Sequence, residues 1–527
     1  MLRRLSAVIV SVALLSSGWL GGTGLTLLAA FVPLLWICDS YGPSRRNWWR
    51  VFGWALLVFV LWNAATIWWI WGATPVGPFA ATLASSFLNM VAFMLYRTAL
   101  TRGTRPLAYT TLVSAWIATE YWYTVGEFSW PWLILGNGFS HDIWAVQWYE
   151  YTGVFGGSLW VLLCNIAIYE AVRTRSRRRI AAAAAAVAVP AVVSLGIYAA
   201  WEEPDGERMK VTIVQPDVPV YEYTDPVRRL DNLLELASEA PADVDFIIMP
   251  ESALDDEMTV YEDWLGRSGT GENPNAVLDT LAAFMRSRYP GSTLIAGAKS
   301  VRYYTASQRS ATARAGRGYY YDIFNSAVGI DSTGVQDIYH KGRLVIGVEK
   351  MPMPWLFEWL KFLVIDLGGT VGQLGVSTER TNFLSSSGAE AGAAICYEGL
   401  YGDFYGGFVR RGARAMLIIS NDGWWGDTPG YRHLFTISRL RAIEHRRAIA
   451  RSANTGMSGF ISARGDIGAT LGWNERGTLT AGLAADDRQT VYTRYGDYTG
   501  RAAEYVLLLC VLYYIAYRVR KKNHLVA

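Results

Sequence analysis

Long apolar segments dominate this sequence, and they constrain its fold more than any other feature. A helix needs about 20 mostly apolar residues to cross the roughly 30 Å of hydrocarbon in a bilayer. Hydrophobic residues make up 52% of the chain and charged residues only 18%, which is more apolar than a soluble domain requires. We therefore expect a bundle of about eight membrane-spanning helices. The candidate segments lie near residues 5–20, 22–38, 51–72, 79–100, 107–124, 152–172, 180–200 and 503–518.

Basic residues fall in alternate connections between these segments. Because arginine and lysine are retained on the cytoplasmic side of a membrane, these connections and both chain termini are expected to be cytoplasmic. The long polar stretch between the seventh and eighth segments then lies outside the cytoplasm. The residues that set this orientation are Arg3, Arg4, Arg45, Arg46, Arg50, Arg97, Arg102, Arg105, Arg173, Arg175, Arg177, Arg178, Arg179, Arg518, Arg520, Lys521 and Lys522.

The predicted spans divide the chain into three parts. Residues 1–204 form a helical transmembrane domain of about seven spans, 205–500 form an extracytoplasmic domain, and 501–527 form a final transmembrane helix with a basic cytoplasmic tail. In the middle part, short β-rich apolar runs alternate with amphipathic helical patterns, which is typical of an α/β domain. Strands are predicted at 211–215, 246–250, 293–298, 326–330, 393–397 and 415–420, and helices at 228–239, 275–288 and 431–450.

The charge balance and the cysteines exclude some classes of function. A net charge of +3, with no basic patch interleaved with aromatic rings, argues against a nucleic acid partner. Three cysteines, Cys38, Cys164 and Cys510, fall in apolar segments, where packed thiols are common. Cys396 is the fourth and lies in the polar part, where it has no disulfide partner and no zinc-type spacing. A single thiol in a polar domain, without a disulfide or zinc role, is a candidate for a chemical function.

Three polar residues stand at the ends of predicted strands, where α/β folds place their chemistry. They are Glu251, Lys341 and Cys396. A thiol needs a base beside it and a donor for the oxygen that becomes negative during acyl transfer. Each residue alone also fits a structural role, as a solvated carboxylate, a surface lysine and a packed thiol.

The motifs around these residues favour the catalytic interpretation. MPES at 249–252, Lys341 followed by Glu349, ICYEG at 395–399, NDGWWGDTPG at 421–430 and LRAIEHRRAIARSANTGMSG at 440–459 occur together. Jointly they resemble the carbon–nitrogen hydrolase (nitrilase) superfamily, and the surrounding spans resemble its apolipoprotein N-acyltransferase branch. The resemblance implies a four-layer αββα sandwich for the extracytoplasmic domain.

The resemblance also implies a role for each matching residue. Glu251 would be the general base, Lys341 the oxyanion-stabilising cation and Cys396 the nucleophile. Glu349 would be a second essential carboxylate, and Tyr397 and Glu398 a supporting pair. A tryptophan that many members carry after the first strand is absent from 214–223, where Tyr221 or Tyr223 could replace it.

The function that the resemblance implies is lipoprotein maturation in the bacterial inner membrane, with the catalytic domain on the periplasmic side. A phospholipid would give an acyl chain to Cys396, and the N-terminal amino group of a diacylglyceryl-modified apolipoprotein would accept it from the thioester. No metal or organic cofactor is expected, and the chain is expected to act as a monomer. Without the resemblance, the residues and their spacing predict only a membrane-linked acyl-transfer enzyme and do not identify its substrates.

Two further segments carry hypotheses about lipid access. The run at 351–365 is apolar but too short to span a bilayer, so it is expected to be an interfacial lid that includes Trp355, or else a core helix. Trp424 and Trp425 are expected to line the entrance for the acyl chain or headgroup.

The arginines at 439, 441, 446, 447 and 451 are expected to form a solvated helix face.

Two other functions remain open from the sequence. One is an extracytoplasmic amidase or nitrilase that the membrane helices merely anchor. The other is a lipid-binding or scaffold protein without catalytic activity. An acyl thioester on Cys396 would exclude a simple amidase. Intact lipoprotein N-acylation in cells that depend on a Cys396→Ala chain would exclude the enzymatic function.

Overall fold

A computed structural model describes residues 1–220, 224–266, 273–350 and 373–526, with side chains as far as residue 520. The chain forms two compact units. One is Met1–Trp201 together with Tyr495–Ala527, and the other is Glu202–Arg494. The predicted Trp355, the lid at 351–365 and the alternatives Tyr221 and Tyr223 lie outside the described residues.

The first unit is helical, as the apolar segments predict. Its helices are α1 Leu2–Ser16, α2 Val32–Asp39, α3 Arg45–Ile67, α4 Gly77–Arg102, α5 Arg105–Val125, α6 Tyr149–Thr174, α7 Arg177–Ala200 and, in chain order, α13 Tyr498–Val526. Within the described residues, six helices are long and apolar enough to cross a membrane. They are Leu2–Trp19, Arg45–Gly72, Gly77–Arg102, Tyr149–Thr174, Arg177–Ala200 and Tyr498–Arg520.

The two other predicted spans are helical but differ from the rest. The segment near 22–38 forms only a shorter apolar helix, Gly24–Asp39. The segment near 107–124 forms α5, which buries the carboxylate of Glu120. That carboxylate accepts hydrogen bonds from Trp116 Nε1 (3.0 Å) and the backbone N–H of Leu135 (2.8 Å), so the bundle interior supplies its partners.

The second unit is an α/β domain. Its strands are β1 Arg208–Gln215, β2 Phe246–Ile248, β3 Val260–Tyr261, β4 Thr293–Tyr304, β5 Arg314–Ala315, β6 Tyr320–Asp331, β7 Gly334–His340, β8 Asn382–Leu384, β9 Glu390–Ile395, β10 Ala415–Ser420, β11 Ile449–Ala453, β12 Ser458–Ile461, β13 Ile467–Leu471 and β14 Gly477–Ala484. Its helices are α8 Pro226–Ala237, α9 Ala276–Arg288, α10 Gly402–Arg410, α11 Pro429–His445 and α12 Val491–Tyr495, the last of which crosses the boundary between the units.

The strands form two sheets. The first has the order β14-β1-β2-β4-β6-β5, with β3 beside β4 and β7 beside β6. The second has the order β13-β12-β11-β10-β9-β8. Strands β1, β2 and β4 are parallel, as are β9, β10 and β11, so the carboxyl ends of these strands point the same way within each sheet.

The sheets pack face to face, and helices cover their outer faces. Strand β1 contacts β11 between the sheets, α8 and α9 pack on the first sheet, and α10 and α11 pack on the second. Leu233 of α8 and Leu281 and Met285 of α9 are buried in one core with Ile247 and Leu294. Burial of side chains of this size stabilises a core by about 1.5–3 kcal/mol each. The predicted αββα sandwich is therefore the observed architecture.

The arginine-rich helix departs from its prediction. The helix α11 ends at His445, because Arg446 adopts a left-handed conformation (φ 51°) and the chain then enters β11. Arg441, Arg446, Arg447 and Arg451 are buried, and only Arg439 is partly exposed. The expected solvated face is wrong, since these guanidinium groups bind backbone carbonyls and carboxylates inside the domain.

Candidate active site

Glu251 lies just past the carboxyl end of β2, and its carboxylate is buried. Its Oε1 accepts a hydrogen bond from Asn325 Nδ2 (2.7 Å), and its Oε2 accepts one from the backbone N–H of Asn421 (3.0 Å). Gly297 permits this position, because a Cβ there would stand 2.6 Å from the Cα of Glu251 and 2.4 Å from the carbonyl oxygen of Pro250. The carboxylate is therefore held by donors from both sheets, since Asn325 lies in β6 and Asn421 follows β10.

Lys341 follows the last residue of β7 and is almost completely buried, with 1% of its surface exposed. Its Nζ donates to Oε1 of Glu251 and to Oε1 of Glu349, each at 3.0 Å. Burial by itself lowers the pKa of the ammonium, but the two carboxylates outweigh it and hold the pKa of Lys341 well above its ordinary value. Lys341 is thus a fixed cation, and the surface-lysine interpretation is wrong.

Asn325 joins the two carboxylates and was not among the residues predicted from sequence. Its Nδ2 donates to Glu251 (2.7 Å) and to Glu349 (2.9 Å). Its backbone carbonyl accepts from the N–H of Lys341 (2.8 Å), because β6 pairs with β7 in antiparallel register. A polar residue one position before the predicted strand at 326–330 was the available signal.

Cys396 stands at a sharp turn between β9 and the 3-10 helix Cys396–Leu400. Its φ of 51° is left-handed, a conformation that costs a residue with a side chain about 1–3 kcal/mol. Burial and the charge of Glu251 raise the pKa of the thiol well above its ordinary value, while Lys341 and a hydrogen bond with Ser420 act in the opposite direction. The resting sulfur is therefore a neutral thiol close to a base and a cation.

Glu398 supports the turn that carries the thiol. Its Oε2 accepts from the backbone N–H of Ile395 (2.8 Å), and its Oε1 accepts from Tyr339 Oη (2.7 Å) and the N–H of Gly342 (2.6 Å). Burial raises the pKa of Glu398, against the opposing effect of these donors. Tyr397 is also buried, and its ring meets that of Tyr401 edge to face with centroids 5.3 Å apart.

The segment after β10 forms the other wall of the site. The side chain of Asp422 is fully buried, where it pairs with Arg451 at 2.7 Å and accepts from Ser420 Oγ at 2.8 Å. Trp424 and Trp425 follow in the short 3-10 helix Gly423–Trp425 and are half-buried. Their predicted contact with an acyl chain or headgroup stays a prediction.

The arrangement brings a thiol, a cation and two carboxylates together at strand ends. Such a set can deprotonate the sulfur and stabilise an oxyanion, which are the two requirements of acyl transfer through a thioester. In the described part of the chain, no group of three or more His, Cys, Asp or Glu side chains could hold a metal ion. Glu251, Glu349, Lys341 and Cys396 thus define a candidate site of thiol-dependent acyl transfer.

Comparison of the chain with known protein families is consistent with a site of acyl-transfer chemistry. Residues 210–492 match the model described as Carbon-nitrogen hydrolase, and residues 7–167 match the model described as Apolipoprotein N-acyltransferase N-terminal domain. The chain belongs to the carbon–nitrogen hydrolase family. The resemblance inferred from the sequence motifs is confirmed, and with its several apolar helices the chain is a multi-pass membrane protein.

Similar proteins extend over most of the chain. An apolipoprotein N-acyltransferase of Chlorobaculum tepidum is 29% identical over 488 residues, which cover 89% of this chain and 87% of that protein. One from Rhodopseudomonas palustris is 26% identical over 533 residues, covering 92% and 90%.

Two solved structures are similar to part of the chain. An amidase from Nesterenkonia sp. has 16% identity and a TM-score of 0.36, and covers 56% of this chain and 95% of its own. Saccharomyces cerevisiae Nit3, a member of branch 10 of the nitrilase superfamily, has 16% identity and a TM-score of 0.38, and covers 53% and 90%.

Proposed function

We propose that this chain is an apolipoprotein N-acyltransferase of the bacterial inner membrane. It takes an acyl chain from a phospholipid and transfers it to the N-terminal amino group of a diacylglyceryl-cysteine in an apolipoprotein. The family match, the helical N-terminal domain and the relatives of that name support this function. The observation that supports the mechanism is the cluster of buried Glu251 and Lys341 with the partly buried Glu349, beside the thiol of Cys396.

In the first half-reaction, the thiol of Cys396 attacks the ester carbonyl of the phospholipid. Glu251 takes the proton from sulfur as the new C–S bond forms, because a neutral thiol is a weak nucleophile. The ammonium of Lys341 and the backbone N–H of Tyr397 bind the oxygen that becomes negative. When the C–O bond breaks, Glu251 returns the proton to the leaving oxygen, and a lysophospholipid departs.

In the second half-reaction, the amino group of the apolipoprotein attacks the thioester carbonyl. Glu251 accepts a proton from the nitrogen, and the same donors hold the oxyanion. The C–S bond then breaks and the sulfur recovers a proton from Glu251. The products are an N-acylated lipoprotein and the free thiol, so the steps balance without a metal or an organic cofactor.

Glu349 and Asn325 keep the cluster in its working arrangement. Because Lys341 Nζ lies 3.0 Å from one oxygen of each carboxylate, Glu251 and Glu349 together hold the ammonium in position. Asn325 donates to the same oxygen of each carboxylate that Lys341 contacts, and this reduces the mutual repulsion of the two carboxylates. Preorganised charges of this kind need no rearrangement as the oxyanion develops.

The topology proposed from the basic residues gives this domain access to its substrates. The arginine-rich connections lie in the cytoplasm, the catalytic domain lies on the periplasmic side, and the chain acts as a monomer. The acyl donor is then a phospholipid of the outer leaflet. The acceptor is a lipoprotein precursor held at the same membrane surface by its own diacylglyceryl group.

The decisive experiment is to trap the acyl-enzyme. The full chain is incubated in mixed micelles with phospholipid that carries a labelled acyl group, and the peptide containing Cys396 is analysed by mass spectrometry. We expect one acyl group on Cys396, released by hydroxylamine and by a synthetic diacylglyceryl-cysteine peptide. Cys396→Ala should form no adduct, whereas Cys510→Ala, which removes a buried thiol of α13, should behave like the parent.

Other outcomes would reject the proposal. A chain that forms no acyl adduct but releases ammonia from small amides would be a membrane-anchored amidase. Unchanged N-acylation of lipoproteins in cells that depend on the Cys396→Ala variant would exclude the thioester route.

A further inference from the structure

The helical unit contains a cavity of about 440 Å³ that the acyl-transfer chemistry does not use. It lies between the N-terminal end of α3 and the C-terminal end of α4. Its wall includes Arg45, Arg97 and Arg102 together with Trp48 and Trp49, and no described Asp or Glu contributes to it. The cavity therefore has a strongly positive potential and suits an anion.

Arg97 is the buried part of this wall, with only 2% of its surface exposed. Its two terminal nitrogens donate to the backbone carbonyls of Cys38 (2.9 Å), Tyr41 (2.8 Å) and Gly42 (2.8 Å). Its Nε has no hydrogen-bond partner in the described part of the chain, and no carboxylate there pairs with its charge. The three carbonyls hold the guanidinium in place but leave its charge uncompensated, so Arg97 adds a fixed positive charge that favours an anion in the cavity.

The N-terminal end of α3 and the basic residue at the C-terminal end of α4 also favour an anion in the cavity. Ser44 caps α3 by accepting from the N–H of Asn47 (3.1 Å), and the positive end of the α3 dipole faces the same region. Arg102 lies in the last turn of α4 and offsets the partial negative charge of that terminus. Arg45 and Arg102 are exposed and form no ion pair among the described residues, so both can bind a ligand.

The tryptophans place the cavity at the edge of a bilayer. The membrane-spanning segment Arg45–Gly72 begins here. The rings of Trp48 and Trp49 meet edge to face with centroids 4.9 Å apart, and Trp49 is 55% exposed. Indole rings favour the depth of the lipid headgroups, so the cavity opens where lipid phosphates lie.

We propose that this cavity binds the phosphate of an anionic phospholipid. The phosphate lies among Arg45, Arg97 and Arg102, and the acyl chains stay in the bilayer beside α3 and α4. A zwitterionic lipid is disfavoured because its ammonium group would meet three cations and no carboxylate of the described wall. The proposal concerns the helical unit alone and does not depend on the proposed acyl transfer.

The test is lipid binding by the full chain, measured by native mass spectrometry from detergent micelles. The probes are phosphatidylglycerol, phosphatidylcholine and soluble glycerol 3-phosphate, each in separate titrations. We expect selective retention of phosphatidylglycerol. The double variant Arg45→Gln/Arg102→Gln, which leaves the structural bonds of Arg97 intact, should weaken that affinity by roughly 30-fold.

A matched variant distinguishes specific binding in the cavity from nonspecific electrostatic attraction of anionic lipid to basic residues. Arg46→Gln/Arg50→Gln removes the same amount of charge from the first turns of α3, but neither residue contributes to the cavity wall. It should change the affinity by no more than about twofold. An equal loss in both double variants, no loss in the first, equal retention of phosphatidylcholine, or equal binding of soluble glycerol 3-phosphate would each overturn the proposal. Thermal melting of each variant verifies that it is folded.

Discussion

Glu398 accepts a 2.6 Å hydrogen bond from the backbone N–H of Gly342, the residue that directly follows Lys341. The other oxygen of the same carboxylate accepts from the N–H of Ile395, which directly precedes Cys396 (2.8 Å). One buried side chain therefore connects the loop of the cation with the turn of the nucleophile. The distance between ammonium and thiol depends on a residue that need not touch the substrate.

Replacement of Glu398 by glutamine tests this connection. A glutamine has one acceptor oxygen and a donor amide, so it cannot accept from both Ile395 and Gly342. A buried N–H left without an acceptor costs about 1–3 kcal/mol, and a lysine loop displaced by that cost should slow acyl-enzyme formation about 10- to 100-fold. Single-turnover kinetics with labelled phospholipid should show a lower maximal rate and an unchanged KM.

Tyr339→Phe is the matched control for that variant. It removes one hydrogen bond to Glu398 and leaves both backbone bonds in place. We expect a much smaller loss of rate than in Glu398→Gln. Equal losses in the two variants, or a raised KM with an unchanged maximal rate, would contradict a positioning role for Glu398.

The titration of the Cys396 thiol gives a second prediction. Burial and the negative charge of Glu251 raise the pKa of this thiol, and the positive charge of Lys341 lowers it. Glu251→Gln should therefore move the alkaline onset of thiol alkylation to lower pH, and Lys341→Met should move it to higher pH. The rate of iodoacetamide labelling at Cys396, followed by mass spectrometry across the neutral to alkaline range, measures both shifts. Shifts of the opposite sign would mean that these groups do not face the sulfur.

Asn325 provides a third prediction, because its amide, like the ammonium of Lys341, donates to both Glu251 and Glu349. Asn325→Leu keeps the side chain's size but removes both hydrogen bonds to charged groups, each worth about 1.5–3 kcal/mol. Acyl-enzyme formation should fall by at least about tenfold, since the carboxylates repel each other more strongly and hold Lys341 less precisely.

Asn382→Leu is the control for this substitution. Asn382 also donates to a carboxylate, that of Glu390 at 2.7 Å, but it lies in β8 away from the cluster. We expect its acylation rate to stay close to that of the parent chain. If both leucine variants lost activity equally, the effect of Asn325→Leu would be one of general stability.

Local patterns in the sequence were sufficient for six of the fourteen strands in the described part of the chain, and they placed Glu251 and Cys396 at or just past strand ends. The apolar run predicted at 415–420 is the observed strand Ala415–Ser420, because a buried strand is fixed by a short run of apolar residues. Asn325 could not be found in this way. Its place beside Lys341 follows from the pairing of Ser326 with His340, a register that two distant segments set together.

The arginines near residue 440 show where a local pattern gives the wrong prediction. A run of charges on a helix ordinarily indicates a solvated face, and here that prediction failed. Arg441 is buried because it pairs with Glu444 and donates to the carbonyl of Leu400, and Arg447 because it donates to the carbonyl of Ala413. Glu444 lies on the same helix, but the carbonyls of Leu400 and Ala413 lie on other segments, so the periodicity of one helix carries no information about them.

The buried pair of Arg451 and Asp422 yields the last prediction. Both side chains are inaccessible to solvent, and Asp422 also accepts from Ser420, which in turn bonds to the thiol of Cys396. Arg451→Met leaves a buried carboxylate without its cation, so the free energy of unfolding should fall by about 3–5 kcal/mol. Arg464→Met breaks the half-exposed pair with Asp466 and should cost about 0–1 kcal/mol. Thermal denaturation of the full chain in detergent compares the two, and the double variant Asp422→Leu/Arg451→Met should recover much of the loss because no uncompensated charge remains buried. Equal melting temperatures for Arg451→Met and Arg464→Met would mean that the pair does not hold this wall of the site together.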